Sequence, residues 1–192
     1  MKTTVDYLKF RTRSDPFSIL EALRPGFGSA SDLVELGQSV KGKDGWEHRR
    51  HLKMAGDITI GAIDYGGESQ RGGGRVDIPG SGCEWIQDWE SVSQVVDVLK
   101  DATLKRVDIA LTTFDGSVTH ERVVEAHEAL QFGSGGRHPH RRVVTSSDAR
   151  AGRTVYVGNR EGAKFLRAYE KGLEVLQKHV PCSIRSMVNQ IE

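Results

Sequence analysis

Residues 152–172 constrain the fold of this chain most strongly, because they predict two β-strands joined by a short charged turn. The second strand carries Arg167, Tyr169 and Lys171 at every second position. Side chains two residues apart on a strand point to the same side, so this pattern places a phenol between two cations. A tyrosine hydroxyl can attack a phosphodiester when nearby cations hold the phosphate and stabilise the developing charge. The triplet is therefore a candidate site for phosphoryl transfer, although tyrosine flanked by charges is also common on a solvated strand.

The remaining pattern predicts an α+β fold with a mostly antiparallel central sheet and helices packed on one face. Alternating apolar and polar residues predict further strands at 5–12, 46–53, 58–65, 75–78, 104–111 and 142–145. Helical periodicity predicts helices at 17–23, 85–102 and 119–130. The first of these begins after a capping residue and a proline, Asp15 and Pro16. Polar residues on one side of several strands indicate that one side of the sheet holds a site.

Several side chains are expected in the core. Trp85 and Trp89 lie four residues apart in a predicted helix and are interpreted as core anchors. In strand 104–111, apolar residues alternate with Arg106, Asp108 and Ala110, and we expect the apolar set to face the core: Val107, Ile109 and Leu111. Cys83 has no evident histidine partner and is interpreted as a small buried residue.

Charge is informative through its distribution, because the net charge of the 192 residues is only +1. Basic clusters at 48–53 and 137–142 are compatible with a surface that binds phosphate groups. The two cysteines lack the spacing of a metal site, and no signal peptide or long apolar run is present. We therefore expect a reduced, cytoplasmic protein with no membrane partner.

Two polar motifs suggest metal chemistry and also have simpler interpretations. Arg106 and Asp108 share one side of a strand, so Asp108 is a candidate ligand of a divalent cation and Arg106 a candidate phosphate contact. The alternative is an ion pair on an exposed strand. His138 and His140 have the spacing of a histidine pair on a strand, but Pro139 between them is disfavoured in a central strand. A basic loop is the preferred interpretation of this second motif.

Taken together, the motifs resemble the replication initiation factor family, which includes rolling-circle replication initiators of plasmids and filamentous phages and some conjugative relaxases. Five pieces match in the order of the family, namely Val5-Asp-Tyr-Leu-Lys-Phe10, Val76-Asp-Ile-Pro-Gly-Ser-Gly-Cys83, Arg106-Val-Asp-Ile-Ala110 with Phe114-Asp-Gly116, Gly152-Arg-Thr-Val-Tyr-Val-Gly158, and Leu166-Arg-Ala-Tyr-Glu-Lys-Gly172. The resemblance implies a nicking-domain-like fold and a sequence-directed, metal-dependent nick of one DNA strand.

The resemblance also implies roles for particular residues. Tyr169 matches the nucleophile that becomes linked to the 5′ phosphate, and Arg167 and Lys171 would clamp that phosphate. Asp108 would help to hold Mg²⁺ or Mn²⁺, and Asp115 or Glu174 would compensate for a further family aspartate that this chain lacks. The expected DNA contacts are basic residues on the strands and turns: Arg106, Arg153, Arg160, Lys164, Arg49, Arg50, Arg141 and Arg142. The expected partner is a single-stranded or hairpin origin, with a host helicase or polymerase as further partners.

Two departures from the family pattern keep a second interpretation open. The first is Thr112, which stands where family members usually carry a further aspartate. The second is the C-terminal region of the family, which we expect to be missing: residues 1–180 would form a nicking-like domain and 181–192 a short tail. The alternative is a truncated, non-catalytic relative that binds DNA or a host protein, such as a replication or superinfection regulator or a counter-defence phage protein.

Overall fold

The structure is a computed structural model that describes residues 1–55, 57–113, 115–133, 135–145, 152–162 and 164–170. The predicted α+β class with a mostly antiparallel sheet is confirmed. The strands are β1 (Lys2–Thr12), β2 (Glu35–Leu36), β3 (Val40–Lys41), β4 (His48–Met54), β5 (Ile58–Tyr65), β6 (Gly74–Pro79), β7 (Thr103–Thr112), β8 (Arg141–Val144), β9 (Thr154–Gly158) and β10 (Phe165–Tyr169). The helices are α1 (Pro16–Leu23), α2 (Gly80–Cys83), α3 (Trp89–Val98) and α4 (His120–Glu128), with short 3₁₀ segments at Arg24–Leu33 and Glu68–Gln70.

The chain divides into two compact units. Residues Lys2–Leu111 form the seven-stranded unit, and the second unit begins at Thr112 and contains a three-stranded sheet. The larger sheet has the strand order β2-β4-β5-β6-β1-β7, with β3 also paired to β4. The smaller sheet has the order β10-β9-β8. The predicted domain limits, 1–180 and 181–192, stay a prediction.

One side of the seven-stranded sheet is buried under helices. Phe10 on β1 is opposite Val76 on β6, and Val76 is opposite Ile63 on β5, so the three side chains share one face. They pack with apolar residues of the helical segments, namely Ile19, Leu20, Leu23, Phe27, Ile86, Val92 and Val95. This core occupies one side of the sheet, and the other side carries polar residues.

Helix α1 begins as its sequence predicts. Asp15 is the N-cap, and its carboxylate accepts hydrogen bonds from the backbone N–H groups of Phe17 and Ser18. Pro16 occupies the first turn, where its missing N–H is not needed.

Helix α3 is shorter than predicted, because its cap lies inside the predicted helix. Asp88 caps the backbone N–H groups of Glu90 and Ser91, so the helix begins at Trp89. Trp85 precedes the helix and is 38% exposed, so the prediction that it is a core anchor is wrong. Trp89 packs against the core, as expected.

Strand β7 contradicts the expected burial of its apolar residues. Val107 is 43% exposed, Ile109 68% and Leu111 55%. β7 is the last strand of the sheet order, so only one of its edges pairs within this unit. Alternation correctly predicted which residues share a side of β7, but burial depends on what covers that side.

The three-stranded unit has a small core of its own. Val123 on α4 packs with Val155 and Val157 on β9, and Leu166 and Ala168 on β10 lie against the same cluster. Residues 138–140 precede β8 without regular structure, so the interpretation of the histidine motif as a loop is confirmed. Within this unit His127 Nε2 donates to the Pro139 carbonyl oxygen at 2.7 Å, and its ring lies 4.3 Å from that of His138.

Cys83 is buried as predicted, with 4% of its surface exposed. Its thiol donates to the carbonyl oxygen of Ile78 at 3.6 Å. Burial raises the pKa of the Cys83 thiol to about 11, so the thiolate needed for nucleophilic chemistry is scarce near neutral pH. Among the described residues, no helix is long and apolar enough to cross a membrane.

Candidate nucleic-acid interface and catalytic residues

The proposed nucleophile lies on the outer side of the three-stranded sheet. Along β10, Leu166 and Ala168 turn toward the valine cluster, whereas Phe165, Arg167 and Tyr169 are exposed. Tyr169 is 39% exposed, and the Arg167 guanidinium carbon lies 4.6 Å from the centre of its ring. The predicted same-side placement of Arg167 and Tyr169 is therefore observed. Lys171 lies outside the described residues.

Aromatic and arginine side chains continue across this sheet. Tyr156 on β9 is opposite both Arg167 on β10 and Arg142 on β8. The ring of Tyr156 stacks on Phe165 with centroids 5.7 Å apart, and the Arg142 guanidinium carbon lies 5.3 Å from the Tyr156 ring centre. We call this set the aromatic–arginine face: Arg142, Tyr156, Phe165, Arg167 and Tyr169.

The aromatic–arginine face has the composition of a surface that binds single-stranded nucleic acid. Aromatic rings offer flat surfaces for unpaired bases, while arginines contact phosphates and also stack. Sequence reasoning missed Tyr156 and Phe165. Their positions could have been recognised, because Phe165 is in phase with Arg167 and Tyr169, and Tyr156 is central in the preceding strand.

The other basic residues predicted to contact DNA in this unit fall into two groups. Arg160 and Lys164 are exposed and lie between β9 and β10. Arg141 is paired with Glu128 at 3.0 Å, and Arg153 with Glu121 at 3.3 Å. These two pairs attach α4 to the ends of β8 and β9, so Arg141 and Arg153 already have a structural role.

Asp108 lies on β7 of the seven-stranded unit, and Arg106 neutralises it. Arg106 Nε donates to one oxygen of Asp108 at 2.7 Å, and Arg106 Nη2 donates to the other. This is the ion pair that the simpler interpretation predicted. The Arg106 guanidinium also lies over the ring of Tyr7, 4.5 Å from its centre.

The described residues do not form a complete site for Mg²⁺ or Mn²⁺ by themselves. Both oxygens of Asp108 are occupied by Arg106, and one oxygen of Asp115 accepts from the backbone N–H of Ser117 at 2.9 Å. Over the described part of the chain, no three histidine, cysteine or acidic side chains cluster as metal ligands would. Glu174, the third predicted ligand, lies outside the described residues.

The polar side of the seven-stranded sheet carries two rows of residues, most of them polar or charged, as the strand patterns indicated. In the first row, four strands contribute one residue each: Arg11, Arg75, Asp64 and Arg49. Asp64 is fully buried and accepts hydrogen bonds from Arg49 at 2.6 and 2.9 Å and from Arg75 at 2.7 and 3.0 Å. The guanidiniums of Arg11 and Arg75 both lie against the ring of Trp46.

The second row consists of Lys9, Asp77, Ala62 and His51. Because alanine is short, the row dips at Ala62, and a depression of about 250 Å³ opens there. The residues that line this depression include Arg49, His51 and Asp77. His51 Nδ1 is buried and, among the described residues, has no hydrogen-bond partner.

Arg49 and Arg50 were both predicted to bind DNA, but they lie on opposite sides of the sheet. Arg49 shares the polar side with His51, whereas Arg50 is opposite Ile63 on the side packed by helices. Arg50 donates to the carbonyl oxygen of Gly37 at 2.9 Å and lies 5.3 Å from the ring centre of Phe17. Its contacts are therefore with the protein itself.

Comparison with known proteins adds one finding to this geometry. The family model described as replication initiation factor matches residues 102–188. This match confirms the resemblance for the part of the chain that it covers, which is less than half of the residues and includes β7 and all three strands of the smaller sheet. Searches of curated proteins and of solved structures found no match.

Proposed function

We propose, from the match of residues 102–188 to the replication initiation factor family, that this chain is a rolling-circle replication initiator of a phage or mobile element. The match supports a role in the initiation of DNA replication. The observation that carries the catalytic proposal is the exposed Tyr169 with the Arg167 guanidinium against its ring. In this role the chain acts in the cytoplasm on a DNA origin, together with a host helicase or polymerase.

The proposed reaction is a transesterification at one phosphodiester of the origin. The Tyr169 hydroxyl oxygen bonds to phosphorus, the bond from phosphorus to the 3′ oxygen breaks, and the phenolic proton passes through solvent to that oxygen. The products are a 5′ phosphotyrosine and a free 3′ hydroxyl that a polymerase can extend. Rejoining is the reverse reaction, in which a 3′ hydroxyl attacks the phosphotyrosine.

Arg167 and Lys171 are proposed to hold the scissile phosphate. A guanidinium can donate two parallel hydrogen bonds to phosphate oxygens and stabilise the charge that develops in the transition state. Arg142, Arg160 and Lys164 provide further cations on or beside the aromatic–arginine face, and Tyr156 and Phe165 provide stacking surfaces for unpaired bases.

Asp108 is proposed as a ligand of Mg²⁺ or Mn²⁺, with Asp115 or Glu174 as the second carboxylate. A divalent cation bound there would neutralise charge on the phosphate. Arg106 now occupies the Asp108 carboxylate, so metal binding requires the guanidinium to release it. Asp108→Asn should therefore abolish nicking that depends on Mn²⁺.

The decisive experiment incubates the full chain with supercoiled and single-stranded DNA from the origin region of the encoding element, in the presence of Mn²⁺. We expect a covalent protein–DNA adduct that is absent from Tyr169→Phe. Tyr156→Phe is the matched control, since Tyr156 lies on the same face and should keep the adduct. An adduct that persists in Tyr169→Phe would show that this residue is not the required nucleophile.

The second candidate is a DNA-binding relative without nicking activity. It is favoured by the ion pair that occupies both oxygens of Asp108 and by Thr112 in place of a further aspartate. Tight binding of origin DNA with no adduct from any variant would support this candidate. Absence of DNA binding would instead favour a protein partner.

A further inference from the structure

A second tyrosine, on the polar side of the seven-stranded unit, has a carboxylate partner in place. The half-buried Tyr7 on β1 donates its hydroxyl to Asp77 Oδ1 on β6, with an oxygen–oxygen distance of 2.5 Å. A phenol hydrogen-bonded to a carboxylate is the arrangement in which the carboxylate can take the phenolic proton during nucleophilic attack.

Two cations complete the surroundings of this pair. Lys9 Nζ lies 3.2 Å from Asp77 Oδ2, so the two oxygens of Asp77 have different partners and the carboxylate is fixed in orientation. Arg106 covers the ring of Tyr7, with its guanidinium carbon 4.5 Å from the ring centre. The site thus combines a nucleophile, Tyr7, with a base, Asp77. Lys9 orients the base, and the guanidinium of Arg106 lies nearby.

The depression beside Asp77 offers a place for a phosphate group. Asp77 lines it together with Arg49 and His51. Arg49 is held in a fixed orientation by the buried Asp64, and Nδ1 of His51, which has no hydrogen-bond partner among the described residues, is available to a ligand. The depression has a volume of about 250 Å³, slightly below the range typical of drug-sized ligand pockets. This volume suits a phosphodiester with part of one nucleotide.

We propose that Tyr7 is a second phosphoryl acceptor, with Asp77 as its general base and the Arg49–His51 depression as the site of the phosphodiester. The inference rests on the proposed function, because it assigns a second nucleophile to the same transesterification. The Tyr7 oxygen bonds to phosphorus, Asp77 takes the phenolic proton, and the bond from phosphorus to the leaving oxygen breaks.

The protonation state of Tyr7 makes the carboxylate necessary. Burial, followed by the hydrogen bond to Asp77, raises the pKa of Tyr7 to about 12. The phenol is therefore protonated at neutral pH, and the reaction requires proton transfer to Asp77 during attack. Removing the base should reduce transfer to Tyr7 by about 100-fold or more, the usual range of a general base.

A probe that needs no origin sequence tests the proposal. The probe is the p-nitrophenyl ester of thymidine 5′-phosphate, used with and without Mn²⁺. The ester would transfer its thymidylyl group to a tyrosine and release coloured p-nitrophenolate, a leaving group that departs without being protonated. Trypsin would place Tyr7 in the peptide 3–9 and Tyr169 in the peptide 168–171, and mass spectrometry of the two peptides identifies the acceptor.

We expect labelled peptide 3–9 from the unmodified chain and from Tyr169→Phe, and none from Tyr7→Phe. Asp77→Asn should lose this label while keeping any label on peptide 168–171, and circular dichroism should show that the variant keeps a normal fold. Tyr65→Phe is the control, because Tyr65 also lies in the large sheet, where its hydroxyl contacts Ser39 and Arg50.

Three other outcomes separate the two proposals. Label on peptide 168–171 alone would overturn the role of Tyr7 and leave the proposed function intact. Label on peptide 3–9 alone would support Tyr7 and overturn Tyr169 as nucleophile. Label on neither peptide, from a chain whose circular dichroism shows a normal fold, would overturn both.

Discussion

Asp64 is a fully buried carboxylate whose charge is balanced by arginines on both neighbouring strands. Removing a charged group from water is costly unless other groups replace its hydration. Four hydrogen bonds from Arg49 and Arg75 do so here, and the same bonds fix the orientation of Arg49 beside the depression. Asp64 thus connects the stability of the sheet to the geometry of a proposed phosphate site.

Asp64→Asn should lower the free energy of unfolding by about 3–5 kcal/mol, the usual cost of breaking a buried ion pair by removing one partner. The amide keeps the volume but leaves two guanidiniums without a counter-charge. Urea denaturation followed by circular dichroism measures the change. Asp57→Asn is the matched control, since Asp57 pairs with Lys53 but is 82% exposed, and its loss should change stability little. Equal effects of the two substitutions would contradict this account.

The same carboxylate predicts how stability depends on pH. Burial by itself would raise the pKa of Asp64, but hydrogen bonds and positive charge from Arg49 and Arg75 outweigh it, so the pKa lies below the ordinary value. An aspartate in the unfolded chain has a pKa of about 3.9. The stabilising contribution is therefore complete above about pH 4 and is lost as the pH falls further. Unfolding midpoints measured between pH 2 and 7 should fall less steeply below pH 4 in Asp64→Asn.

At the scale of the secondary-structure elements, α2 lies directly on the sheet because it contains Gly82. A Cβ built at Gly82 would lie 1.7 Å from the carbonyl oxygen of Ile60 on β5. No side chain can occupy that space, so the glycine permits the close approach of helix and strand. This contact explains, in terms of packing, why a glycine stands at position 82 in the segment Val76–Cys83 that resembles the family.

Gly82→Ala should destabilise the chain by about 3 kcal/mol, at the upper end of the cost of overpacking, because backbone atoms must move. Thermal unfolding followed by circular dichroism measures the effect. Gly133→Ala serves as the control, since among the described residues a Cβ there would contact only the carbonyl oxygen of Leu130, at 3.4 Å. A Gly82→Ala variant with unchanged melting would show that α2 can move away from β5 at low cost.

For the molecule as a whole, the distribution of charge and aromatic rings matters more than the net charge of +1. On the three-stranded sheet, aromatic rings and arginines alternate with the residues of the valine cluster, so Arg142, Tyr156, Phe165, Arg167 and Tyr169 share one side. Unpaired bases expose the flat surfaces that such a face can stack on, whereas duplex DNA hides them.

We expect the chain to bind oligo(dT) more tightly than a duplex of equal length. Tyr156→Ala should weaken binding of the single strand by about 1–3 kcal/mol, the usual loss for one base–aromatic stack. Arg142→Gln should reduce the slope of log affinity against log salt by about 0.7, as expected when one phosphate contact is lost. Fluorescence anisotropy at several salt concentrations measures both quantities.

Val40→Ala is the control for these binding measurements, because Val40 is exposed on the short strand β3, in the other unit. A duplex preference, or equal effects of Tyr156→Ala and Val40→Ala, would contradict single-strand binding by the aromatic–arginine face.

Local pattern alone determined much of this protein, including the α+β class, the hairpin at 154–169, the shared side of Arg167 and Tyr169, and the family resemblance. These features depend on backbone periodicity and local capping, which act between residues close in sequence. Pairing between distant strands decided the rest. It packed helical segments on the side of the sheet that carries Arg50, exposed the apolar side of β7, and brought Tyr7 to Asp77. No local pattern contains such contacts, because strand register and the covering of a sheet arise only when the whole chain packs.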